Sequence, residues 1–179
     1  MPLPAEQPVV LIGLMAAGKS AVGRELAARH GRPFVDTDQM VVDRYGPIAD
    51  LFVSRGERYF REVEARAVAE ALAAPGGSIV SLGGGAVLDP GTRQLLARGP
   101  RVVFLDTDLA TVLPRITRAG HRPLLAEDPA GRWQALADAR RPIYEALAEI
   151  TIDARGASVP EIADRITRTL TEGEAPDAR

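Results

Sequence analysis

Val9-Val10-Leu11-Ile12-Gly13-Leu14-Met15-Ala16-Ala17-Gly18-Lys19-Ser20 joins a short β-branched apolar run to the pattern G-x-x-x-x-G-K-S, and Ser20 to Arg29 follows with Val22, Leu26 and Ala27 at helical spacing. The apolar run is short, continuous and ended by glycine, so it predicts a strand buried on both faces, the habit of parallel sheets. Strand, glycine-bearing loop and helix in that order make a phosphate cradle. Backbone N–H groups wrap the anion, a lysine reaches the β- and γ-phosphates, and the following hydroxyl ligates Mg²⁺. Gly13, Ala16, Ala17, Gly18, Lys19, Ser20 and Ala21 are the candidate nucleotide-binding positions, with Ser20 also a candidate metal ligand. The alternative is a glycine turn without a ligand, and both flanks of the loop argue against it.

Lysine and arginine total 22, and Lys19 is the single lysine among them. A compact ammonium meets phosphate as a point charge where a planar guanidinium presents a fork, so the one lysine stands where the motif requires it.

Outward from the loop, strands and helices alternate. Pro33-Phe34-Val35 reads as a second strand, Asp38 to Tyr45, Ile48 to Ser54 and Glu57 to Ala73 as helices, and Ser78 to Leu82 as a third strand. Pro90 to Arg98, Arg101 to Leu105 and Leu109 to Arg118 read as helix, strand and helix. Helices at Arg132 to Leu147 and Val159 to Leu170 enclose a last strand at Glu149 to Asp153. The alternation predicts an α/β fold, a three-layer sandwich whose five-stranded parallel sheet is flanked by helices. Residues 119–129 hold Gly120, Pro123, Asp128 and Pro129 around His121-Arg122 and read as an irregular lid. Residues 1–172 are expected to form a single domain and residues 173–179 a polar tail.

Composition narrows the function classes. A chain of 179 residues with 46% hydrophobic content supports one core, and a net charge of -2 offers no basic field for nucleic acid or an anionic membrane. The absence of cysteine excludes disulfides, thiolate metal sites and a thiol nucleophile. Val9 to Ala17 is far too short to span a membrane, and no basic segment precedes it. A cytoplasmic protein without signal peptide or anchor is expected.

Two further signals sit at expected strand ends, where ligands of open α/β sheets gather. In Asp36-Thr37-Asp38, one carboxylate could face a metal and the other a substrate hydroxyl, or Asp38 could simply cap the helix that follows. Gly83-Gly84-Gly85 removes three side chains in succession, so that backbone can touch a ligand or turn sharply. Arg61, Arg122 and Arg140 are candidate anion ligands against a background of surface arginines. His30 and His121 read as surface residues, and Trp133 and Tyr144 as packing or polar-tipped residues rather than base-stacking platforms.

Taken together, these motifs resemble the shikimate kinase family from about Val9 to Leu170. Phe34-Val35-Asp36-Thr37-Asp38 is similar to its substrate and metal motif, and Ile48-Ala49-Asp50-Leu51-Phe52 with Gly56-Glu57 and Phe60-Arg61-Glu62 resembles its acceptor-binding segment. Ser81 to Val87 resembles its glycine triplet, Arg122-Pro123-Leu124-Leu125 its lid signature, and Arg140-Arg141-Pro142-Ile143-Tyr144 the segment bearing a second carboxylate-binding arginine. The resemblance implies a fold of the P-loop kinase type and transfer of phosphate from ATP to shikimate in aromatic amino acid biosynthesis, through chorismate, by a monomer. It implies Asp38, Lys19 and Arg122 as catalytic residues, and Asp38, Arg61, Gly84, Arg140, Phe52 and Phe60 as the shikimate pocket. Ser20 and Asp36 would organise Mg²⁺, Arg115 would lie against adenine, and Arg118 and Arg155 would stand nearby. Ala16 occupies a position where relatives often carry glycine and Ala21 one where they carry threonine, which predicts altered loop conformation or nucleotide affinity. Gluconate kinase is the enzyme alternative. A nucleotide-dependent binding module without phosphotransfer is the alternative of another class, and the intact acceptor motifs argue against it.

Overall fold

β1 (Val9–Ile12) lies at the centre of a five-stranded parallel sheet, paired with β3 (Ile79–Ser81) on one side and β4 (Arg101–Asp106) on the other. β2 (Phe34–Asp36) and β5 (Ile150–Asp153) form the edges, giving the order β2-β3-β1-β4-β5. The register places Val10 beside both Val80 and Val102. The structure is a computed structural model and describes residue 3, residues 7–118 and residues 127–172.

Period-two alternation divides the strand residues between two apolar layers. Val10, Ile12, Val80, Val102 and Phe104 pack against α3 (Ile48–Ala73), α5 (Leu109–Arg118) and α6 (Pro129–Leu147), through Val68, Val112, Ile116, Trp133 and Tyr144 among others. Val9, Leu11, Ile79, Val103 and Leu105 pack against α1 (Lys19–His30) and α7 (Val159–Glu172), through Val22, Leu26, Ile162, Ile166 and Leu170. Both faces are therefore covered, which is why the central strands read as unbroken apolar runs. α2 (Thr37–Tyr45) and the first half of α3 form a smaller cluster around Val41, Leu51, Phe60 and Val63. α4 (Pro90–Leu96) follows a 3₁₀ turn at Ala86–Leu88.

Several boundaries differ from the sequence expectation. α2 begins at Thr37, so Asp38 is inside the helix, and its cap is Asp36, whose carboxylate accepts from the Asp38 and Gln39 amides. α6 begins at Pro129 rather than Arg132, because Asp128 caps it by accepting from the Gly131 amide at 3.0 Å. The expected lid thus loses its last residue to a helix, and its residues 119–126 lie outside the described residues. His30 is half-buried, with Nε2 3.0 Å from Thr167 Oγ1, and not a simple surface residue. The polar tail at 173–179 also lies outside the described residues.

The two helices expected at Ile48 to Ser54 and Glu57 to Ala73 are both present and follow one another within α3 across a kink at Gly56, whose φ 83 and ψ 165 are not helical. That region of backbone space is essentially closed to residues with a Cβ. No atom stands within 4 Å of a Cβ built there, so the constraint is backbone strain and not crowding. Gly56→Ala is expected to lower the unfolding free energy by about 1–3 kcal/mol, read as a lower denaturant midpoint at unchanged slope.

Candidate active site

The loop between β1 and α1 departs from ordinary backbone at three points. Gly13 has φ 143, and a Cβ there would stand 2.8 Å from the Leu105 carbonyl oxygen. Gly18 has φ 94, and Ala16 has φ 65, the one positive value at a non-glycine residue among the described residues. Ala16 thus takes the left-handed conformation that glycine favours, at a cost of about 1–2 kcal/mol. Lys19 is nearly buried, and its ammonium donates to the carbonyls of Gly13 and Leu14, each at 2.8 Å. Arg115 Nη1 donates to the Ala16 carbonyl at 2.8 Å, and Trp133 Nε1 donates to that of Met15 at 3.1 Å.

At the mouth of the loop, Ser20 Oγ donates to Asp36 Oδ2 at 2.5 Å, with Ser81 Oγ 3.4 Å from the same hydroxyl. No group of three or more His, Cys, Asp or Glu capable of holding a metal occurs among the described residues. The donors here are all hard oxygens and few. They fit Mg²⁺, which keeps waters and phosphate oxygens and takes one or two protein ligands, better than a metal that requires an all-protein cage.

Two cavities meet at this edge of the sheet. One is lined by Met15, Ala16, Gly18, Lys19, Ser20, Ala21, Ser81 and Leu82 together with Asp38 and Gly84. The other brings together the expected Asp38, Phe52, Phe60, Arg61, Gly84 and Arg140 with Met15, Ile48, Glu64, Gly83 and Gly85. Met15, Asp38 and Gly84 belong to both. Gly13 and Ala17 line neither. Gly13 forms the turn, and Ala17 is buried, its amide donating to the Leu14 carbonyl at 3.2 Å. Arg155 and Arg118 are exposed and line neither cavity, and Arg155 Nε pairs with Asp153 at 2.8 Å. Arg122 lies outside the described residues.

Each glycine of the triplet makes room for a different neighbour. A Cβ on Gly83 would come 2.5 Å from Asp38 Oδ1 and 2.8 Å from Glu64 Oε2, and one on Gly84 would come 3.2 Å from the Met15 amide nitrogen. One on Gly85 would enter the Arg61 guanidinium. Arg61 is held by Glu64 at 2.8 Å and lies over the Phe60 ring, its guanidinium carbon 5.1 Å from the centroid. Arg140 is only 5% exposed. One turn further along α6, the Tyr144 hydroxyl donates to the Gly84 carbonyl at 2.5 Å while its ring stacks on Phe104. Burial pushes this phenol up to about 12, so it remains a donor at physiological pH.

Sequence reasoning gave no site role to Glu64, and it named Met15, Ile48, Ser81, Leu82, Gly83 and Gly85 only as members of the phosphate-loop, acceptor-binding and glycine-triplet segments. Glu64 carried a signal, since it lies three residues after Arg61 on a helix, where opposite charges meet. Met15 and Ile48 carried only the signal of the segments they belong to.

A phosphate cradle and a second pocket lined by two arginines, sharing one carboxylate at the carboxyl end of a parallel sheet, define a P-loop kinase. The family model for shikimate kinase matches residues 15–171. A shikimate kinase of Frankia casuarinae is 45% identical over 174 residues, covering 94% of this chain and 76% of its own length. Among solved structures, the shikimate kinase of Acinetobacter baumannii in complex with shikimate superposes with a TM-score of 0.90 at 31% identity, covering 94% of this chain and 95% of that one. A gluconokinase from Sinorhizobium meliloti shares the fold, with a TM-score of 0.64 at 21% identity over 96% of this chain and 94% of that one. The chain belongs to the shikimate kinase family, phosphotransferases that use ATP in aromatic amino acid biosynthesis. Among the described residues, no helix is long and apolar enough to cross a membrane.

Glu64 gives this site a measurable pH signature. Burial raises its carboxyl above the ordinary 4.5, the Arg61 guanidinium draws it back, and the Asp38 carboxylate adds to the rise. A raised folded value means that the native state holds the proton more tightly than the unfolded chain. The associated stability is complete below 4.5 and is lost as pH rises through the folded value. Compared with Glu64→Gln, the wild-type unfolding free energy is expected to fall from pH 4 towards pH 7, as measured by urea titrations at stepped pH.

Proposed function

We propose that this chain transfers the γ-phosphoryl group of ATP to a hydroxyl of shikimate, forming shikimate 3-phosphate, with Asp38 at the point of transfer. The observation that carries this assignment is that Asp38 lines both the phosphate cavity and the arginine-lined cavity. A group there can hold the acceptor hydroxyl in line with the phosphate and take its proton. The hydroxyl oxygen bonds to the γ-phosphorus, the bond from that phosphorus to the β–γ bridging oxygen breaks, and ADP leaves.

Arg61 and Arg140 are assigned to the acceptor carboxylate, with the Gly84 backbone, Phe52 and Phe60 forming the rest of the wall. Two charge-assisted contacts at about 1.5–3 kcal/mol each would supply most of the selectivity for an acid over a neutral polyol. Lys19 is assigned to the β- and γ-phosphates, where it offsets charge that spreads over the equatorial oxygens in the transition state. Lid Arg122 is assigned the same work from its motif. Ser20 and Asp36 would hold Mg²⁺, which when bound neutralises charge between the β- and γ-phosphates. Arg115, tethered to the loop through the Ala16 carbonyl, is assigned to the nucleotide base from the resemblance. Arg155 is assigned only to the edge of that region. Action as a monomer is assigned from the resemblance alone.

A coupled ADP-release assay with Mg²⁺ and ATP, comparing shikimate, gluconate and no acceptor, tests the assignment. Release that depends on shikimate is expected. Release with gluconate instead would keep the fold and overturn the acceptor, and release without any acceptor would point to a nucleotide hydrolase. Asp38→Asn is expected to lower kcat at least 100-fold while calorimetry shows ADP still bound. Near-normal turnover by that variant would remove Asp38 from the chemistry.

A further inference from the structure

The carbonyls of the phosphate loop are held by side chains from three separate parts of the chain. Lys19 takes the carbonyls of Gly13 and Leu14, Trp133 that of Met15, and Arg115 that of Ala16. Four successive carbonyls thus each receive a side-chain donor. Lys19 lines the phosphate cavity, and Arg115 is assigned to the nucleotide above. Trp133 lines neither cavity; it is 1% exposed in the apolar layer beneath the loop.

A trans peptide unit is planar, with its C=O and N–H pointing in opposite directions. Fixing the Met15 carbonyl towards Trp133, on the core side, therefore turns the Ala16 N–H the other way, towards the cavity that Met15 and Ala16 line. The next residue is the strained one, since Ala16 holds φ 65 without being glycine. A loop in that conformation needs an external tether to stay there, because the left-handed well is the less favoured one for alanine.

The tether also has a rigid base. Trp133, Ala137, Arg140 and Tyr144 are the buried residues of α6. One face of one helix thus grips the phosphate loop through Trp133, places Arg140 in the acceptor cavity, and grips the glycine triplet through Tyr144.

We infer that Trp133 is a positioning residue for the nucleotide: by holding the Met15 carbonyl, its indole N–H aims the Ala16 amide at the bound phosphates. This rests on the assignment of residues 13–20 to phosphate made above. Removing the indole donor weakens nucleotide binding and leaves the acceptor side alone.

Trp133→Phe keeps an aromatic ring in the layer and deletes the donor. Its Kd for ADP and KM for ATP are expected to rise about fivefold, the worth of one neutral hydrogen bond, while KM for shikimate stays within twofold. Unchanged nucleotide constants would overturn the inference, as would parallel rises for both substrates, which would mark a merely structural residue. The smaller ring leaves space, so a second replacement guards against a folding defect. Trp133 is the only tryptophan in the chain, and biosynthetic substitution by benzothienylalanine puts sulfur in place of the N–H at that one position with the bicyclic shape kept. The same nucleotide-selective weakening is expected, and wild-type ADP affinity in that protein would overturn the inference. Wild-type protein measured alongside separates the two claims. Failure of the wild type to bind ADP would sink the phosphate assignment and this inference with it, whereas wild-type binding matched by both replacements would sink only the role of Trp133.

Discussion

A loop can turn backbone amides onto a phosphate only if both of its ends are held still, and the central position of β1 supplies that constraint here. β1 is paired on both edges, through Val9–Leu11 with β3 and Val9–Ile12 with β4. The chain leaving it enters α1, whose Val22 and Leu26 are fully buried against the opposite face. The order β2-β3-β1-β4-β5 sends the connection after β1 towards one edge and the connection after β3 back across to the other. The crevice that opens where those directions part is where ligands of open α/β sheets bind. Asp36 at the end of β2 and Gly83–Gly85 after β3 reach that crevice because their strands run parallel to β1.

Electrostatics then determines how the two cavities share a wall. Asp38, Glu64, Arg61 and Arg140 stand round a single pocket, with Glu64 and Arg140 buried and Asp38 and Arg61 half-buried, and taking the partner from a buried charge costs several kcal/mol. Glycines at 83 and 85 let these groups approach the backbone closely, so the triplet serves the charged cluster as much as the bound molecule. Gly84 differs, since a Cβ there would meet the Met15 amide nitrogen and the Gly13 carbonyl oxygen, so its missing side chain lets the triplet lie close against the phosphate loop. Tyr144 donates to the Gly84 carbonyl, so this shared wall of the two cavities is held from α6.

The fold was largely legible because its determinants are local. Val9 to Ile12 shows an unbroken apolar run, and Glu57 to Ala73 shows helical spacing. Boundaries slipped where a side chain decided them: Asp36 and Asp128 cap the helices that follow by accepting particular amides, which moved the starts of α2 and α6. Within the site, residues in motifs were visible, and Asp38, Arg61 and Arg140 do share one cavity. Arg155, expected on the adenine side, lines neither cavity and pairs with Asp153 and Asp106. Trp133 and Tyr144 looked like packing residues and proved to be packing residues whose polar tips reach backbone carbonyls, 118 and 60 positions away.

The order of residues along the chain was enough to establish a parallel α/β sheet and a phosphate loop at its centre, because each depends on short-range pattern: apolar periodicity, glycine placement, and a lysine and hydroxyl at set spacing; the reaction class came from the resemblance of its motifs to a kinase family. Three-dimensional packing alone decided that Asp38 stands between two cavities, that Glu64 steadies Arg61 beside it, and that α6 reaches both the loop and the triplet. Those relations join residues from different strands and helices, and the distances among them exist only once the two apolar layers have closed on the sheet.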